Sequence, residues 1–321
     1  MNRRHFVAGL AAGSALAASG RPSHAQAAPA FRHKLRLASI IGKPDAGSLK
    51  PIKDAGLDGV ETTAIVAPTA AAESRKIAED MGLRIHSVLR GWAEFNSTDP
   101  KAVDSSWQAS ASALRAAAGY GADAVLLVPC RVGGMAMPQA WDFRIKFDPA
   151  TGHLLSVVDG DNAPYKDYIA AQDRAWDTSF EQVSKLIEVA KETGVVIALE
   201  NVWNNLWVDP LHFAAFVKSF QSPWVKGYFD IGNMVKYSKS ELWIRALGAD
   251  LAKCHVKDFK LNANGQGGDW KDPLDGSVNW PEVRRALDEV DYDGWLTIEG
   301  SGGLGLPEIK RRMDIISRGG A

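Results

Sequence analysis

The sequence predicts an α/β chain folded as a single-domain (β/α)8 barrel, and three observations lead there. From residue 35 to the C-terminus, eight short apolar runs alternate with amphipathic stretches, the pattern of repeated strand and helix units. Several of those stretches end in a glycine just before the next apolar run, where a helix terminus favours a left-handed residue. The size also fits: of 321 residues, the roughly 290 that follow the N-terminal segment match a barrel of about 250 residues with insertions. A doubly wound sheet would carry a glycine-rich fingerprint at the first strand-to-helix turn, and Ile41-Gly42-Lys43-Pro44-Asp45 has none.

The strands are expected over 35–41, 59–64, 84–90, 124–130, 195–200, 226–230, 251–256 and 295–299. Helices are expected between them, at 71–81, 102–118, 180–193, 211–220 and 280–290, with Gly82, Gly121 and Gly194 as terminators. Residues 131–175 follow the fourth strand and hold Gly133, Gly134, Pro138, Pro149 and Pro164. So long an irregular segment reads as a lid or small hairpin over the barrel mouth, and as the place to look for an oligomer contact.

Composition narrows the function classes. The chain is 46% hydrophobic and 23% charged with a net charge of -1, so no basic footprint marks it as a nucleic-acid or membrane-surface binder. Two cysteines, Cys130 and Cys254, are too few for a zinc ribbon or a disulfide scaffold, which leaves a single disulfide open. At the N-terminus, Arg3-Arg4 precedes an apolar stretch over 7–18, and Ala25-Gln26-Ala27 has the small-x-small form of a cleavage site. This segment, residues 1–27, resembles a twin-arginine export signal. Its apolar part, about 12 residues, is too short for a stable membrane anchor. The expectation is a mature protein beginning near Ala28, handled by export machinery and working in the periplasm or outside the cell.

In a barrel of this kind catalytic groups sit at the C-terminal ends of strands. Four consecutive predicted strands end in groups that bind metals: Glu200, Asp230, His255 and Glu299, spaced one strand-helix unit apart. Converging carboxylates repel one another unless a cation joins them. Oxygen-rich ligation with one imidazole points to a divalent ion, Mn2+ first, with Mg2+, Co2+ or Zn2+ as alternatives. Lys257 follows His255 by two residues and would project the same way. His86, on the third strand, is a candidate substrate contact at the mouth. His212 is read as structural. Trp203, Trp92 and Trp141 are candidates for stacking on a sugar face.

The pieces Leu199-Glu200-Asn201-Val202-Trp203-Asn204, Phe229-Asp230-Ile231-Gly232-Asn233, His255-Val256-Lys257-Asp258-Phe259-Lys260 and Tyr292-Asp293-Gly294-Trp295-Leu296-Thr297-Ile298-Glu299 resemble the xylose isomerase-like TIM barrels, in particular the sugar (phosphate) isomerase and epimerase branch. Val278-Asn279-Trp280-Pro281 and Gly56-Leu57-Asp58-Gly59-Val60-Glu61 add to the likeness. The resemblance implies that Glu200, Asp230, His255 and Glu299 bind the metal and that Glu200 and Glu299 serve as acid and base. Substrate contacts are expected from Asn201, Trp203, Lys257 and Asn233, the last standing where some epimerases of the superfamily carry a histidine.

The chemistry expected is proton abstraction next to a carbonyl through an enediolate, in a sugar isomerase or epimerase. The alternative is cleavage of a 3-keto-glycoside by β-elimination, which shares its first step. An endonuclease-like hydrolase would need more histidines and a basic face, and a non-catalytic sugar-binding protein has no use for two acids around an ion. The turn Gly300-Ser301-Gly302-Gly303-Leu304-Gly305 after the last strand could hold a phosphate, but an exported enzyme favours an unphosphorylated sugar or a keto-glycoside. If the leader works as read, an Arg3→Lys/Arg4→Lys variant remains in the cytoplasm uncleaved; normal secretion of that variant, followed by fractionation and N-terminal sequencing, refutes the assignment.

Overall fold

A computed structural model describes residues 31–300 and 302–320; the export leader expected over 1–27 lies outside the described residues. The elements run β1 (Arg36–Ile41), α1 (Ala46–Asp54), β2 (Gly59–Thr62), α2 (Pro68–Asp80), β3 (Arg84–Trp92), α3 (Pro100–Tyr120), β4 (Ala124–Val128), β5 (Lys146–Phe147), β6 (Leu154–Ser156), α4 (Lys166–Thr193), β7 (Val196–Glu200), α5 (Pro210–Ser219), β8 (Val225–Asp230), α6 (Ser240–Leu247), β9 (Leu251–Val256), β10 (Asp258–Leu261), β11 (Gly268–Lys271), α7 (Trp280–Glu289), β12 (Trp295–Ile298) and α8 (Leu306–Ser317). Eight of the strands close a parallel barrel in the order β1-β12-β9-β8-β7-β4-β3-β2, with helices between them. The other four form two small antiparallel hairpins, β5-β6 and β10-β11, that leave the barrel after β4 and β9. No helix among the described residues is long and apolar enough to cross a membrane.

Local chemistry sets where the helices begin and end. Asp99-Pro100 and Asp209-Pro210 each join an N-cap carboxylate to a proline in the first helical turn: Asp99 Oδ1 accepts from the Lys101 amide, and Asp209 Oδ1 accepts from the amides of Leu211 and His212. Gly121 and Gly194 close α3 and α4 at φ +69° in both cases, a conformation that penalises any side chain. Apolar packing then divides in two. The larger cluster fills the layer between barrel and helices, and a small one of Ala124, Leu126, Val128, Ala198, Val202 and Tyr228 fills the barrel interior.

Residues 131–175 differ from the expectation at their C-terminal end. Helix α4 starts at Lys166 rather than near residue 180, because Tyr168, Gln172, Ala175, Trp176 and Ser179 make a buried stripe at helical spacing. The β5-β6 hairpin is tied down on this helix: the Leu154 amide donates to Asp173 Oδ1 (2.8 Å), and His153 Nε2 lies 2.9 Å from Asp177 Oδ1. Cys130 and Cys254 are both free and buried, so the disulfide left open by the sequence is not formed. Cys130 lies just beyond β4 and Cys254 on β9, with β7 and β8 between those strands.

His212 fastens the hairpin from the other side. Its Nε2 lies 2.8 Å from the Gly152 carbonyl, and its ring stacks on Trp176 with centroids 4.8 Å apart. Burial pulls its pKa down to about 4, so the ring is neutral and its N–H donates to that carbonyl. The unfolded chain takes up the proton first as pH falls, so stability from this group is complete above about pH 6.5 and is lost, by up to about 3 kcal/mol, on acidification to pH 4. The stability gap between the parent and His212→Gln, measured by urea unfolding, should therefore narrow between pH 7 and 4; a constant gap would contradict the placement.

Candidate metal centre

The cluster forms where four neighbouring strands end. Glu200 closes β7, Asp230 closes β8, His255 is the penultimate residue of β9, and Glu299 follows β12 directly. The barrel order β12-β9-β8-β7 makes these strands consecutive, so Glu299 and Glu200 flank His255 and Asp230. One ligand atom from each of the four residues lies within 4.8 Å of all the others. Glu200, Asp230 and His255 are buried, and Glu299 is partly so. His255 Nδ1 is 3.2 Å from Glu200 Oε1 and 2.8 Å from Glu299 Oε2.

A fifth group, not among the ligands expected from the sequence, holds the imidazole from behind. Glu61 on β2 is fully buried; its Oε2 accepts from His255 Nε2 at 2.6 Å, and its Oε1 accepts from the Ser87 hydroxyl at 2.7 Å. With Nε2 committed to Glu61, Nδ1 is the ring nitrogen turned toward Glu200 and Glu299. The signal was a carboxylate inside a four-residue strand whose members are all buried, Gly59-Val60-Glu61-Thr62, where an unpaired acid is costly.

The charges do not balance within the chain. Four buried or partly buried carboxylates (Glu61, Glu200, Asp230, Glu299) face one imidazole and the Lys257 ammonium. Burial and the neighbouring carboxylates hold Glu200 up at about 7 and Asp230 at about 6. Burial also opposes the charge on Glu299 and His255. Yet His255 and Lys257 hold the Glu299 carboxyl well below the usual range, and Glu61 and Glu299 hold His255 well above its own. Among the described residues Asp230 Oδ2 is buried without a hydrogen-bond partner, its ion-pair partner being Lys257 Nζ at 3.5 Å. An orphaned carboxylate oxygen, two carboxylates converging on one ring nitrogen and a surplus of negative charge fit a divalent cation held by Glu200, Asp230, His255 and Glu299.

The remaining expected residues fall into different roles. Lys257 reaches the cluster, its Nζ 2.9 Å from Glu299 Oε1, and lines a cavity of about 560 Å3 with Trp270, Asp272, Glu299 and Gly302. Asn201 is a strut: its Oδ1 accepts from the Asp230 amide at 3.2 Å, leaving a buried Nδ2 without a partner among the described residues. Asn233 also acts through its backbone, its N–H donating to Asp230 Oδ1 at 2.8 Å and its carbonyl accepting from Trp203 Nε1. Trp203 stacks on Trp270 of the β10-β11 hairpin, centroids 4.7 Å apart. His86 is a correction. It does not line the mouth but is fully buried, stacked on Trp295 at the start of β12 (4.3 Å), with Nε2 2.9 Å from the Thr297 hydroxyl. Trp92 is exposed and carries the Arg131 guanidinium over its ring.

Glu61→Gln keeps the shape and removes the charge behind His255. The expected outcome is a fall of about 10–100-fold in Mn2+ affinity by titration calorimetry; unchanged affinity would mean that the imidazole is oriented by other contacts.

Comparison with known proteins bears on the family. A curated relative, an uncharacterised protein of Methanocaldococcus jannaschii, is 29% identical over 129 residues, which is 38% of this chain and 43% of that protein. The chain thus matches less than half the length of that relative. Among solved structures, a xylose isomerase domain protein from Planctomyces limnophilus superposes with a TM-score of 0.65 at 14% identity, covering 89% of this chain and 96% of that one. The 3-keto-D-glucoside 4-epimerase of E. coli gives 0.62 at 14% identity over 88% and 99%. An IOLI protein with a bound zinc atom gives 0.64 at 13% over 88% and 96%. At these identities the likeness is one of fold. The sequence pattern of the xylose isomerase-like TIM barrel matches residues 49–315, and the chain belongs to that family.

Proposed function

We propose that the chain is a divalent-metal-dependent sugar isomerase or epimerase that works by abstracting a proton next to a carbonyl. The observation that carries this reading is the convergence of Glu200, Asp230, His255 and Glu299 within 4.8 Å at one end of the barrel. A divalent ion there would supply Lewis-acid stabilisation of the enediolate oxygens, with Mn2+ as the first candidate. The residues themselves do the rest. Glu200 and Glu299 approach the centre from strands on either side of Asp230 and His255, so they can remove and return a proton at different faces of a bound sugar. Lys257 anchors Glu299 and has further N–H donors for a substrate oxygen.

An unphosphorylated substrate suits the rim. A Cβ added at Gly302 would lie 2.7 Å from Asp272 Oδ1 and 2.8 Å from Oδ2, so a carboxylate already faces the glycine turn where many barrels take a phosphate. The same reading includes export through the twin-arginine leader. Cleavage of a 3-keto-glycoside by β-elimination is the second reading; it uses the same proton abstraction and is favoured by a further cavity lined by Trp203, which stacks on Trp270 at the rim of the cluster's own cavity.

Deuterium uptake from D2O into a panel of sugars and keto-glycosides tests both readings, since it registers proton abstraction before the product is known. The full chain loaded with Mn2+ should exchange one carbon-bound hydrogen, with release of the aglycone marking the second reading. EDTA treatment should abolish exchange, and Glu200→Gln and Glu299→Gln should each slow it about 10^2–10^4-fold. A chain that binds no metal, or a Glu299→Gln variant as active as the parent, would overturn the proposal.

A further inference from the structure

The loops that follow the barrel strands enclose a second concavity of about 350 Å3, which contains none of the four acid and imidazole groups of the cluster. Its walls come from four separate loop regions. Trp141 and Phe143 enter from the segment after β4, Trp203 from the loop after β7, Lys236 and Tyr237 from the loop after β8, and Phe259 from β10. Five of these six side chains are aromatic, the kind of wall that receives the face of a ring.

Trp203 lines this cavity and connects it, through its stack on Trp270, to the cavity beside the metal centre. Trp270 lines the cavity containing Glu299 and Lys257. The Trp203 indole N–H donates to the Asn233 carbonyl, and the Asn233 amide donates to Asp230 Oδ1. The two concavities are therefore neighbours across a stacked indole pair. Lys236 supplies the polar group. Its Nζ lies 3.6 Å from the centroid of the Trp203 ring and 4.8 Å from that of Tyr237, and it has no carboxylate partner among the described residues. Burial lowers its pKa to about 8. An ammonium balanced only by aromatic faces has hydrogen-bond donors to spare for an incoming oxygen.

We propose that this cavity is a subsite for the unit attached to the reacting sugar, and that the substrate is a glycoside whose second ring stacks on the aromatic wall and accepts a hydrogen bond from Lys236. This rests on the reading of the neighbouring centre as a sugar site. A hexose and a phenolic aglycone share the required chemistry, a flat face with an oxygen at its edge, and the probes below separate them.

The test is binding to the full chain loaded with Mn2+, read by tryptophan fluorescence and calorimetry, with glucose, maltose, cellobiose and 4-nitrophenyl β-glucoside as probes. At least one two-unit probe should bind about tenfold more tightly than glucose. Trp141→Ala and Lys236→Met should each remove most of that advantage while leaving glucose affinity and the thermal midpoint nearly unchanged. A preference confined to the disaccharides identifies a sugar as the second unit, and one confined to the nitrophenyl glucoside an aryl group; both support the subsite. The proposal is overturned if no two-unit probe outbinds glucose, or if the variants weaken glucose and the two-unit probes alike. Metal titration runs alongside. A chain that binds no Mn2+ yet keeps the two-unit preference defeats the isomerase reading alone, whereas one that binds Mn2+ without the preference defeats the subsite alone.

Discussion

The hydrogen bond from His255 to Glu61 is the contact on which the rest of the mouth depends. It crosses the closed barrel from β9 to β2, strands separated in the wall by β12 and β1. Because the bond is buried at both ends, neither partner can turn to water, and the imidazole has one orientation. Everything that converges on Nδ1 inherits that orientation. Ser87 holds Glu61 through its second oxygen, so the chain of constraints runs from the wall of the barrel to its open end.

Concentrating acid in this way is a cost that the fold must distribute. Asp230 is held by the amides of Gly232 and Asn233, whose N–H groups donate to its Oδ1 and leave Oδ2 to the Lys257 ammonium. Glu299 leans on Lys257, and Glu200 relieves part of the repulsion through a raised proton affinity. The aromatic pair Trp203 and Trp270 then walls the cluster on the side of the hairpin. Charge, backbone donors and ring faces act together here, and a substitution at any of them is expected to alter its neighbours.

Much of this was legible in the residues. The eight strands follow from apolar runs at regular intervals, and the position of Glu200, Asp230 and Glu299 at their ends follows from carboxylates terminating those runs. Structure adjusts the edges: β4 stops at Val128 rather than at Cys130, and β12 at Ile298. Two kinds of information were hidden. The first turns of α4, from Lys166 to residue 179, carry charged residues between the buried ones, so the stripe from Tyr168 to Ser179 reads as loop. Cross-barrel partners were hidden as well, since Glu61 and His255 are 194 residues apart and nothing local announces the pairing. His86 failed for a related reason: alternation along a strand tells which face a side chain takes, but not how deep in the barrel it lies.

The two thiols carry a consequence for the life history of the chain. Burial pushes both Cys130 and Cys254 up to about 12, so in the native state neither offers a thiolate to an oxidant. The same residues would be reactive in an unfolded chain. Redox inertness is thus acquired on folding, and a chain that completes its barrel in a reducing compartment could enter an oxidising one with no need of a disulfide isomerase.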